Sequence, residues 1–132
     1  MKMILKQIFI LAIVAFPVLA SAQDAILEKI ALSLRSSNTK ELASLFAANV
    51  EITTLKQEGT YSAAQAEQVV KDFFTKYPSK GFELIHKGST NQGSQYGIGN
   101  LTTPKGVFRT YFYLKLQGTQ YKIQELRFEE QQ

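Results

Sequence analysis

Beyond Pro78 the chain carries no helical stripe. Four extended stretches follow one another instead: Gly81 to Gly88, Gln95 to Thr103, Val107 to Gln117 and Tyr121 to Glu129. Short turns separate them, at 90–93, at Pro104-Lys105-Gly106 and at Gly118-Thr119, so the strands succeed one another in antiparallel order. The longest, Val107 to Gln117, has two faces. Phe108, Thr110, Phe112, Leu114 and Leu116 point one way, and Val107, Arg109, Tyr111, Tyr113 and Lys115 the other. The first face needs a layer of helices against it. A sheet of this kind, with one apolar face, fixes the class of fold before anything else does.

The helices come earlier. Ile26, Leu27, Ile30, Ala31 and Leu34 form an apolar stripe over 24–36, with Asp24 placed to cap its start. Ser36-Ser37-Asn38 breaks it. Thr39 then caps a short helix with Leu42, Leu45 and Phe46 on one side. Residues 50–56 alternate and are β-branched, so they read as a strand, and Glu58-Gly59 reads as a turn before the extended pair Thr60-Tyr61. Ser62 followed by Gln65 is a capping box. It opens a helix to about Lys76 whose buried side is Val69, Val70, Phe73, Phe74 and Tyr77, and Pro78 ends it. With helices grouped first and strands last, the fold class is α+β.

The last strand breaks phase. Tyr121 and Ile123 share one side, and Leu126 and Phe128 the other. One extra residue in the pleat, a β-bulge near Gln124-Glu125, would bring both sets to the same face and bend the sheet.

The N-terminus reads as an address. Lys2 and Lys6 flank a start that leads into an uncharged apolar run from Ile8 to Ala20, and Ala20-Ser21-Ala22 offers small residues for cleavage. This is the pattern of a signal peptide over 1–22, leaving a single domain over 23–132 that is exported to the periplasm or secreted. Pro17 and the shortness of the run argue against a retained membrane anchor. Cleavage removes two of the 15 Lys and Arg and none of the 11 Asp and Glu, so the net charge falls from +4 to +2. That removes the main support for nucleic-acid binding. There is no cysteine, so disulfides and thiolate chemistry are excluded, and nine Phe and six Tyr must supply the core. With a single histidine and no cysteine, no metal site and no cofactor are expected.

Local text narrows the family. The run Tyr61-Ser62-Ala63-Ala64-Gln65-Ala66-Glu67-Gln68 is followed by Lys71-Asp72-Phe73-Phe74. Further on come His86-x-Gly88-Ser89, Tyr96-x-Ile98-Gly99-x-Leu101-x-Thr103 and Arg109-x-Tyr111. These resemble an exported family of unknown function, DUF4783, over essentially all of 25–129. The order of elements resembles the nuclear transport factor two-like fold, in which three helices close over the concave side of a strongly curved antiparallel sheet to make a cone. The resemblance implies a fold and transfers no catalytic residues. Cones of this type host ketosteroid isomerases and scytalone dehydratases as well as binders and assembly domains, so the fold alone does not assign a function.

Within that fold two functions are weighed. The leading one is a non-enzymatic binding or interaction domain. Arg109, Tyr111 and Tyr113 lie on the sheet face away from the helices and are the candidates for a homodimer interface. Tyr61, Phe73, His86, Thr110 and Phe112 are the candidates for holding a small apolar ligand in the cone. The alternative is a cone-pocket enzyme of isomerase or dehydratase type. It would use His86, the only histidine, which alternates in phase with Phe82 and Leu84, as general base. Asp72 is expected in solvent, and Glu51, Glu83 and Glu125 outward. A filled cone would leave a purely structural accessory protein.

Overall fold

The computed structural model describes residues 18–131. Of the expected signal segment, residues 1–17 lie outside the described residues. Three helices, α1 (Val18–Arg35), α2 (Thr39–Ala43) and α3 (Ala63–Lys76), accompany six strands. These are β1 (Phe46–Thr53), β2 (Glu58–Ser62), β3 (Gly81–Ser89), β4 (Ser94–Thr103), β5 (Gly106–Gln117) and β6 (Gln120–Glu130). They form one curved, unclosed sheet in the order β2-β1-β6-β5-β4-β3. Every neighbouring pair is antiparallel except β1 and β6, which run parallel.

Helix ends differ in detail from the sequence expectation. α1 begins upstream of Asp24, so Asp24 is not its cap; its carboxylate instead meets Lys87 Nζ at 3.1 Å. The cap of α2 is Asn38, whose Oδ1 accepts from the Glu41 amide at 3.0 Å. Leu45 and Phe46 are buried as expected, but in the turn after α2 and at the start of β1. β1 ends early because Thr54 Oγ1 accepts from the Lys56 and Gln57 amides, at 3.4 and 3.2 Å, and closes the turn there. Glu58 and Gly59 are therefore the first residues of β2, not the turn.

The capping box of α3 is present in both halves. Ser62 Oγ accepts from the Gln65 amide at 3.3 Å, and Gln65 Oε1 accepts from the Ser62 amide at 3.2 Å. Ser62→Ala should lower stability by about 1 kcal/mol, seen in urea as a lower midpoint at unchanged slope.

Two bulges in the antiparallel pairs bend the sheet, and the parallel pairing of β1 with β6 shifts register between Phe46 and Glu51. Tyr113 pairs with Glu125 and Leu114 with Ile123, so Gln124 is the extra residue of β6. Ile123 and Leu126 are consequently both fully buried despite their odd spacing. The second bulge is at Ile85, between the pairs Leu84–Gly99 and His86–Ile98.

The concave side is filled with rings. Phe73 of α3 stacks on Phe128 with centroids 4.1 Å apart and meets Phe108 edge-on at 5.2 Å. Two glycines of β4 make room for two more. A Cβ on Gly97 would stand 2.3 Å from Phe112 Cζ, and one on Gly99 would stand 2.4 Å from Phe82 Cζ. The rings occupy the space that side chains on β4 would otherwise take.

Candidate functional site

The residues expected around a ligand in the cone are part of the packed core. Phe73, Thr110 and Phe112 are buried, and Tyr61 is half-buried against the hydrophobic core. Thr110 Oγ1 is satisfied within its own strand, donating to the Phe108 carbonyl at 3.3 Å. His86 is elsewhere. The bulge at Ile85 reverses its phase, so it pairs with Ile98 on the outer face and is exposed. It therefore lies on the opposite side of the sheet from Phe82 and Leu84, and its imidazole makes no hydrogen bond to a described residue. Asp72 is exposed, accepting from Gln68 Nε2 at 2.8 Å.

The outer face is built by cross-strand register, in rows. One row runs Glu51, Glu125, Tyr113, Tyr96 and Gly88, from β1 to β3. The next runs Thr53, Arg127, Tyr111, Ile98 and His86. A third holds Glu129, Arg109, Asn100 and Glu83. All three residues singled out for an interface, Arg109, Tyr111 and Tyr113, are on this face. Tyr96 and Ile98 join them because they alternate with the inward Gly97 and Gly99. Tyr113 donates from its hydroxyl to Ser94 Oγ at 2.9 Å, which fixes its ring, and the Tyr96 ring lies over Gly88.

Charge is unevenly spread over these rows. Arg127 donates to Glu125 Oε1 from Nε at 2.9 Å and from Nη2 at 2.6 Å. It stands 3.6 Å from Glu129 and 5.0 Å from the Tyr111 ring centroid. The bond to Glu125 raises the Arg127 pKa further. Glu51 is held above the usual carboxylate range, first by its hydrogen bond to Glu125 and then by that group's charge. Burial, followed by the Glu125 charge, raises the Tyr111 phenol. Together Glu51, Glu58, Glu125, Arg127 and Glu129 line an open groove of about 470 Å³ over β2, β1 and β6. Arg109, by contrast, is exposed and outside every ion pair among the described residues.

Sequence patterning did not assemble this acidic groove. Glu51 and Glu125 were each expected to face outward, but the parallel pairing that joins them links segments more than seventy positions apart. No local signal encodes it. Among the described residues, no group of three or more His, Asp or Glu side chains is arranged to hold a metal ion.

The comparisons with known proteins agree with the architecture. The model of a domain of unknown function, DUF4783, matches residues 27–129. The crystal structure of a DUF4783 family protein from Bacteroides ovatus is similar with a TM-score of 0.75 and 25% identity, covering 79% of this chain and 94% of that one. Rd1NTF2_04 with long sheet is similar at a TM-score of 0.64 and 13% identity, over 80% of this chain and 97% of that one. A putative calcium/calmodulin dependent protein kinase II association domain from Xanthomonas campestris is similar at 0.62 and 15% identity, over 85% and 87% of the two chains. No curated protein matches the sequence. The α+β, nuclear transport factor two-like fold follows from these likenesses together with the sheet order.

Proposed function

The chain belongs to the DUF4783 family, and from that premise we propose that it is an exported, non-enzymatic interaction domain that pairs with a second copy of itself through the outer face of its sheet. The observation that carries this reading is the row Arg127, Tyr111, Ile98 on a face that none of the described helices covers, with the tyrosine row beside it. Tyrosine and arginine supply large, rigid contact area at low entropic cost, which is why they anchor interfaces. The face also complements itself. A two-fold axis sets each patch against the same patch of its partner, so the unpaired Arg109 of one copy can meet the acidic groove of the other. A neighbour of the same fold is called an association domain, which is consistent with this use of the architecture.

The enzyme alternative draws no support from the geometry. A general base must reach its substrate in a pocket with a group to orient it, and His86 is exposed on the outer face without such a partner.

Native mass spectrometry of the protein recovered from an exporting host tests both parts of the proposal. The expected species is a dimer of chains that have lost residues 1–22. Arg109→Glu combined with Tyr111→Glu should give a monomer that stays folded by circular dichroism, with a midpoint no longer dependent on protein concentration. A wild-type monomer at high micromolar concentration would end the dimer reading, and retention of residues 1–22 would end the export reading.

A further inference from the structure

At the end of α3, the turn 54–57 faces the helix across a cavity of about 260 Å³. Val69, the buried Phe73, Tyr77 and the exposed Leu55 give it an apolar wall, and Thr54, Gln57 and Asp72 complete the lining. Its rim is cationic. Lys56 from the turn and Lys76 from the helix both line it, and Lys105 approaches the same tyrosine from the β4–β5 turn. The Lys76 and Lys105 ammonium groups stand 5.7 and 5.4 Å from the Tyr77 ring centroid.

Two features are unfavourable in the protein as it stands. Like charges converge here. Contact with Lys76, and the charge of that lysine, hold Lys56 below its ordinary pKa. Ion pairs among the described residues use Lys29, Lys87 and Arg127, and none of these three lysines. Against their charges stand Asp72, already bonded to Gln68, and roughly half a charge from the carbonyl end of α3. The balance stays positive. The second feature is Leu55, which is 43% exposed at the cavity mouth. A helix end needs one cation and not three, and Leu55 leaves apolar surface in water beside them.

One kind of occupant resolves both. We propose that this cavity binds a small organic anion made of a carboxylate and a flat apolar body. The carboxylate lies between Lys56 and Lys76, and the body lies on Phe73 and Tyr77 under Leu55. Concave sites with an apolar lining and a few convergent polar groups are the usual form of a small-molecule site. A pocket of about 260 Å³ has the size of a small molecule, whereas a lipid surface would engage only the exposed rim.

Phenylacetate is a suitable probe, titrated into isotope-labelled protein and followed by the backbone amides. Saturable shifts are expected at Leu55, Val69 and Tyr77. Benzyl alcohol, with the ring but no charge, and inorganic phosphate, with the charge but no ring, should each bind at least ~10-fold more weakly. The double variant K56Q/K76Q should weaken phenylacetate by a similar factor while the thermal midpoint does not fall. The proposal is overturned by absence of saturation, by phosphate or benzyl alcohol binding as well as phenylacetate, by an unaffected double variant, or by binding only to phosphatidylglycerol vesicles. The oligomeric state is read separately, so failure here leaves the dimer reading intact.

Discussion

Phe128→Ala is expected to cost the domain about 3–5 kcal/mol, the largest loss from any single truncation in the core. Phe128 is 1% exposed and stacks on Phe73 at 4.1 Å with the rings 17° from parallel. It also meets Phe74 edge-on at 5.8 Å. Its removal leaves a cavity between β6 and α3, the element that closes the concave side. Such a void cannot collapse, because both walls belong to regular elements. Domains of this size have only about 5–15 kcal/mol in total, and no disulfide supplements it here. Urea unfolding at constant slope would measure the loss. A cost below about 1 kcal/mol would mean that the ring stack does not hold α3 on the sheet. Tyr111→Ala, on the outer face of the neighbouring strand, should cost far less in the same assay.

Gly99→Ala is expected to destabilise by about 3 kcal/mol, although it adds one methyl group. The new Cβ would stand 2.4 Å from the Glu83 carbonyl oxygen and 2.4 Å from Phe82 Cζ. A ring end can swing aside, but a carbonyl in the middle of β3 cannot move without breaking its pairing with β4. Overpacking of this kind forces backbone shifts rather than rotamer changes. Gly81 is the control, since a Cβ there meets nothing within 4 Å. Gly81→Ala should change the midpoint little. Equal losses at the two positions would show that the collision is not their cause, since chain entropy alone favours alanine.

Much of the fold was legible in the order of residues. The capping box at Ser62 and Gln65, the stop at Pro78 and the two faces of β5 act through neighbours in the chain, so they can be read locally. The strand boundaries around Thr54 were less legible, because Glu58-Gly59 is as good a turn signal as the threonine that closes the turn. Nothing local could pair β1 with β6. The acidic groove and its Arg127 therefore had no signature, and neither did the convergence of Lys56, Lys76 and Lys105.

The two bulges show where that boundary runs. In β6 the sequence by itself determined the bulge, because core residues lie on both sides of it. Ile123 and Leu126 must both be buried, and only an extra residue between them permits it. In β3 the stretch after the bulge is His86, Lys87, Gly88 and Ser89, none of which has to be inside. Either phase satisfies such a stretch, so alternation extended from Phe82 and Leu84 sent His86 to the concave side. Only the pairing of β3 with β4, where Ile98 already faced outward, decided that His86 stands on the outer face. Burial imposes phase where apolar side chains demand it, and elsewhere the neighbouring strand imposes it.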